Sequence, residues 1–251
     1  MDQGRTSIMR APLLTRRAAL TLTSAALIAG LAACATADQD DREDDHGHRD
    51  RQTEEPVAYK PVLYLYPPEQ TDIEVALDYA GELTFTYPEP AVTSTGVSWQ
   101  VTASPDGTLT DAGSRSYPYL FWEGINPALM TQTEGFVVQA HEVTAFLEDK
   151  LAVLGLTERE AAESITFWAP RIQATEQVLI TFAAEQHAAI ASYSFTTDGE
   201  PLTPEVFIRV YLVIGDVPAD PVPKQELIPG PSREGFTAVE WGGCDQRTTT
   251  S

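Results

Sequence analysis

The sequence is short of basic residues, cysteine and long apolar runs, and each shortage excludes a class of protein. Sixteen Lys and Arg stand against 37 Asp and Glu in 251 residues, a formal charge of −21. A scaffold that binds nucleic acid by releasing counterions needs a basic surface, so no nucleic-acid partner is expected. Two cysteines without a paired spacing supply neither a disulfide framework nor a thiolate zinc site. The uncharged run from Ala18 to Ala33 is shorter than the roughly 20 apolar residues that a membrane-spanning helix needs. A Gly-rich phosphate loop, a Gly-x-Ser-x-Gly elbow, a His-Glu-x-x-His pair and an EF-hand loop are all missing, as is any internal repeat. His141-Glu142 has no second His one turn on and reads as a helix start, Glu142 complementing the dipole. No cofactor is expected.

What is present first concerns location. Residues 1–33 carry Arg5, Arg10, Arg16 and Arg17 against Asp2, a charge of +3, and then the uncharged run. A basic start, a short apolar stretch and small residues before a break describe a signal peptide. The break is Leu31-Ala32-Ala33-Cys34, which resembles the lipobox of bacterial lipoproteins. There a diacylglycerol thioether forms on the Cys and cleavage leaves it as the first residue. The competing reading is a chance Cys in an Ala-rich stretch, but its place at the end of the apolar run favours lipidation of Cys34. Thr15-Arg16-Arg17-Ala18-Ala19-Leu20 resembles a twin-arginine export motif, with Ala19 where a bulky apolar residue is usual; an Arg pair in a general secretion signal is the alternative. The expectation is an exported protein anchored by lipid to the outer face of a bacterial cell membrane.

Residues 34–58 read as a tether. Nine acids face three bases with almost no large apolar residue, so the segment cannot bury enough area to offset its ordering entropy. His46-Gly47-His48 lacks a third fixed ligand and reads as solvated linker, not as a metal site. From Tyr59 to Gly243 the pattern is that of one α+β domain, mainly antiparallel sheet with one inserted α-hairpin. Ile73, Val75, Leu77 and Tyr79 alternate with Asp72, Glu74, Ala76 and Asp78, and Ala80-Gly81 is expected to turn the chain into Leu83, Phe85 and Tyr87 of the same meander. Val97 to Ala103 repeats the alternation, and Tyr117 to Trp122 is expected as one aromatic strand. Val143, Phe146, Leu147, Leu151 and Leu154 make a helical stripe that Gly155 can end. Thr157 and Glu160 form a capping box for a second helix that Pro170 is expected to stop. Further strands are expected at Gln177–Ala183, Ala188–Phe195, Val206–Ile214 and Phe236–Trp241. Val206–Ile214, apolar on both faces apart from Arg209 and Tyr211, reads as central. Residues 244–251 are expected to fray, leaving Cys244 a free surface thiol.

Three chemistries remain open on these residues. Glu123 beside Trp122 and Glu240 beside Trp241 could form the carboxylate pair of an envelope hydrolase, with Trp99, Tyr119, Trp122 and Trp241 as sugar-binding rings; that chemistry requires the carboxylates roughly 5–10 Å apart. The competing reading makes the rings core and the acids their solvent-facing neighbours. Asp72, Glu74, Asp78 and Glu82 could collect a divalent cation such as Ca²⁺, but same-face side chains of a strand lie roughly 6–7 Å apart, loose for one ion. The third and favoured reading is non-catalytic: a binding or scaffolding domain displayed toward an envelope protein or glycan.

Lys60-Pro61-Val62-Leu63-Tyr64-Leu65-Tyr66-Pro67, Tyr119-Leu120-Phe121-Trp122-Glu123-Gly124 and Gly235-Phe236-Thr237-Ala238-Val239-Glu240-Trp241-Gly242-Gly243 together resemble the signature blocks of a family of uncharacterised bacterial proteins. The resemblance spans Lys60 to Gly243 and implies one domain. That family has no established activity, so the resemblance implies no catalytic residues. Ala238 stands where a larger apolar residue is expected.

Overall fold

Period-two segments become strands, and the Gly, Pro and Asp clusters between them become turns. A computed structural model describes residues 57–126 and 129–248, all within one unit, Arg51–Ser251. The signal segment, Cys34 and the acidic segment with His46 and His48 lie outside the described residues. In chain order the elements are β1 (Val57–Tyr66), β2 (Thr71–Tyr79), β3 (Glu82–Tyr87), β4 (Ala91–Val92), β5 (Val97–Ala103), β6 (Leu109–Thr110), β7 (Ser116–Tyr117), β8 (Leu120–Ile125), β9 (Phe136–Gln139), α1 (Val143–Val153), α2 (Glu158–Ile172), β10 (Gln177–Phe182), α3 (Ala184–Ala188), β11 (Ala191–Thr197), β12 (Glu200–Pro201), β13 (Val206–Gly215) and β14 (Thr237–Asp245).

The strands form two sheets. The first has the order β3-β8-β1-β14-β13-β10-β9; the second has β12-β11-β2-β5-β6-β7, with β4 also on β5. Among the described strands every pairing is antiparallel except β13 with β14, which is parallel; the isolated bridge between Gly135 and Lys224 is parallel as well. The fold is therefore α+β and mainly antiparallel. Leu63, Leu65, Leu120 and Trp122 of the first sheet meet Ile73, Val75, Trp99 and Phe195 of the second in one buried cluster. The alternate residues Val62, Tyr64, Val239 and Trp241 face the other way and are covered by Leu147, Leu151, Trp168 and Ile172 of the α-hairpin. The layers run helix, sheet, sheet. A sheet covered on both faces needs strands without a wet side, and β13 and β14 are buried almost throughout.

The hairpin obeys its local signals. Val143, Leu147 and Leu151 are the buried stripe of α1. Gly155 takes φ +90°, where its N–H bonds Ala152 O and that of Leu156 bonds Leu151 O, both at 3.1 Å. Thr157 Oγ1 accepts from Glu160 N at 3.3 Å, and Thr157 N donates to Glu160 Oε2 at 2.8 Å.

Five expectations need correction. The chain does not form a hairpin at Ala80-Gly81: β2 belongs to the second sheet and β3 to the first. At that crossing a Cβ on Gly81 would collide with the carbonyl of Ile125 and sit 2.6 Å from the Tyr79 ring, so only glycine fits. Tyr117 to Trp122 likewise splits, Tyr117 ending β7 in one sheet and Leu120 opening β8 in the other. Pro170 lies inside α2, which continues to Ile172 because Ala169 and Ile172 are buried against the sheet and packing outweighs the proline's local cost. A third helix, α3, was not expected, since five residues are too few to display a helical period. Finally, β14 continues to Asp245 in register with Ile214, so Cys244 is not a surface thiol: it is buried at 3% exposure, and burial pushes its pKa up to about 12. The chain beyond it is tied as well, Gln246 N donating to Ile214 O at 2.7 Å and Thr248 N to Asp216 Oδ2 at 2.9 Å.

Candidate functional site

The three sequence blocks fold into three adjacent strands. β1 pairs with β14 on one side and with β8 on the other, so that Val62 faces both Trp241 and Phe121, and Leu63 faces both Glu240 and Leu120. Each strand alternates, and the blocks therefore build one constellation on each face of the first sheet.

On the helix face the blocks meet at Lys60. This residue has φ +53° at an irregularity in β1 between Tyr59 and Val62, a conformation that a non-glycine residue rarely holds. Its ammonium lies 5.7 Å from the ring of Tyr119, 5.6 Å from that of Trp241 and 5.4 Å from that of Phe167 on α2. Burial lowers the pKa of Lys60; Glu163 and Glu123 oppose that shift and Arg171 adds to it. Beside it Tyr64 donates to Glu163 Oε2 at 2.8 Å and accepts from Trp241 Nε1 at 3.2 Å. Tyr66 donates to Glu160 Oε1 at 2.7 Å. Glu160, fully buried, also takes both arms of Arg233, with Nη1 at 3.0 Å and Nη2 at 2.5 Å. Burial alone would raise the Glu160 pKa, but the bonds from Arg233, Tyr66 and Thr157 hold it below the usual carboxylate range.

On the inter-sheet face the centre is Glu240. Arg209 and Glu240 are register partners in β13 and β14. Arg209 Nε and Nη2 both lie 2.6 Å from Glu240 Oε2. Tyr193 donates to Oε1 at 2.7 Å, and His187 Nε2 lies 3.2 Å from the same oxygen. Trp122 Nε1 donates to Tyr193 at 2.7 Å, and Arg209 Nη2 to Ala191 O at 3.0 Å. The His187 ring stacks on Tyr211 with centroids 3.9 Å apart and on Trp122 at 5.9 Å. Its Nδ1 is buried without a hydrogen-bond partner among the described residues. Burial alone would raise the Glu240 pKa. The pull of His187 and Arg209 outweighs it and holds the carboxyl at about 2.

This geometry corrects the paired-carboxylate reading. Glu123 lies on the helix side, where it acts on Lys60. Glu240 points between the sheets and is 1% exposed. The sheet separates them, so they share no cleft. A sealed carboxyl with so low a pKa holds no proton to give at neutral pH. The sugar-platform reading fails for the same reason: Trp99, Trp122 and Trp241 are 3%, 0% and 0% exposed, and Tyr119 is half-buried under Lys60. Nor do the four meander acids share a face. Asp72, Glu74 and Asp78 are exposed on β2, whereas Glu82 lies on β3 of the other sheet. Among the described residues no three His, Cys, Asp or Glu side chains gather as a metal site, and no helix is long and apolar enough to cross a membrane.

Sequence reasoning named Lys60 only as the head of a block and Glu160 only as a capping-box residue, and it missed His187, Tyr193 and Arg233. A signal for Arg209 and Glu240 did exist. Arg209 is the lone charge of β13, and Glu240 is the lone charge of β14 before its last residue. Opposite charges in strands buried on both faces have to meet.

No family model matches the chain, and no solved structure matches it. The chain is 39% identical to the "Uncharacterized protein in bglA 3'region" of Butyrivibrio fibrisolvens over 112 residues, 44% of this chain and 99% of that protein. It spans nearly the whole of that relative at this identity, and it therefore belongs to the same protein family.

Proposed function

We propose that the protein is an exported lipoprotein of the bacterial cell envelope, anchored through a diacylglyceryl group on Cys34, that holds a non-catalytic binding domain off the membrane on its acidic tether. The observation that carries the anchor is Leu31-Ala32-Ala33-Cys34 at the end of the uncharged run. The non-catalytic half is supported by the two constellations, whose acids and bases are spent on one another: Glu240 on Arg209, His187 and Tyr193, and Glu160 on Arg233 and Tyr66. On this reading the three blocks matter in this chain because they build its adjacent strands β8, β1 and β14. Residues 59–251 carry a charge of −18, so anionic headgroups repel the domain and the lipid alone holds it at the membrane.

Cys34→Ala is the test. The variant is expected to lose both cleavage before residue 34 and partition of the processed protein into a detergent phase. A variant that is still processed there and still membrane-bound contradicts the anchor.

A further inference from the structure

Four strand edges end the two sheets, and three of them are blunted. β7 and β12 are two residues long, and β12 ends in Pro201. β9 has four residues, and just before it the loop after β13 is laid against the chain, Gly135 N donating to Pro223 O at 2.9 Å and Gln225 N to Gly135 O at 3.3 Å. β3 differs. Its six residues pair with β8 alone among the described strands, with one irregularity in register between Leu83 and Phe85, and after Glu82 it contains no charge and no proline, so Phe85 to Tyr87 is its regular stretch. Phe85 and Tyr87 are 55% and 48% exposed, each resting edge-on against one ring, Phe121 at 5.7 Å and Tyr117 at 5.4 Å. A six-residue edge with two aromatic side chains presented to solvent is a template for one more strand.

Charge decides what that strand is. Exposed Glu82 opens β3 and exposed Glu89 follows it, in a domain of −18. A second copy brings another −18, and the chain's own acidic segment brings −6; both are repelled. We propose that β3 receives an extended segment of another protein as a further strand of the first sheet, with apolar residues on Phe85 and Tyr87 alternating with Lys or Arg. This rests on the reading of the domain as a binding module, but not on its anchoring.

The test uses the full chain in detergent with a labelled peptide, Lys-Val-Lys-Phe-Lys-Val-Lys, and a block isomer of the same composition, Lys-Lys-Lys-Lys-Val-Phe-Val. The alternating peptide is expected to bind at least about tenfold more tightly than the isomer and to slow backbone hydrogen exchange across residues 82–87. Phe85→Lys, which guards the edge at an exposed position, is expected to remove that advantage while leaving Tm within a few degrees. Three outcomes overturn the proposal: equal binding of both peptides with no protection at 82–87, which is charge attraction alone; protection at 82–87 that grows with protein concentration without peptide, which is a second copy; or an advantage that Phe85→Lys leaves intact. Failure of the anchor instead shows at Cys34 and leaves the peptide result unchanged.

Discussion

Glu240→Gln is expected to cost about 3–5 kcal/mol, the range for removing one partner of a buried ion pair. The substitution keeps the shape of the side chain but leaves Arg209, 14% exposed, with its charge uncompensated between the sheets. For a domain of this size that loss lowers Tm by on the order of 10 °C. The pH dependence identifies the cause. The Glu240 pKa drops from an ordinary 4.5 to about 2 on folding. A depressed carboxyl contributes stability above its unfolded pKa and loses it as pH falls through the folded one, so the contribution fades between pH 4.5 and 2. The shift itself corresponds to roughly 3 kcal/mol, in line with the mutational range. Urea melts at pH 7 and pH 3 should bring wild type and variant closer together at the lower pH. A gap that is the same at both would mean that lost packing, not lost charge, explains the damage.

Arg233→Ala is expected to cost a similar amount, about 3–5 kcal/mol, although Arg233 lies in an irregular loop. The guanidinium joins two places: it donates to both oxygens of Glu160 and, through Nη2 at 2.8 Å, to Gly155 O at the end of α1. Without it Glu160 keeps the bonds from Tyr66 and Thr157 but is a fully buried carboxylate with no counter-charge. The pairing also fixes the loop, since Gly230 N donates to Val153 O at 2.8 Å nearby. A double-mutant cycle with Glu160→Gln should return a coupling of about 1–3 kcal/mol. Additive losses would show that the two side chains act separately.

How much of this was legible depended on how far the signal travels along the chain. The alternation of β2, the stripe of α1 and the capping box at Thr157 are local, and they appear where their spacing puts them. Which sheet a strand joins is not local: β2 and β3 share a period but separate at Gly81, because β2 pairs with β5 and β11 while β3 pairs with β8, where Glu82 faces Ile125. The same limit hid Glu160, whose partner is 73 residues distant in a loop that shows no period. Glu240 was misread for another reason. An acid beside a Trp is the mark of a half-wet strand, and the rule fails once helices cover one face and a second sheet the other. Lys60 carries no sequence signal beyond its place at the head of a block; its three rings come from β14, from α2 and from the residue before β8.

Where the mature chain begins and what it carries there decide whether the protein is a lipoprotein. Mass measurement of the N-terminal peptide of the protein recovered from cell envelopes is the direct test. A peptide that starts at Cys34 and bears a diacylglyceryl group is the predicted result. A chain that begins elsewhere, or an unmodified Cys34, contradicts it.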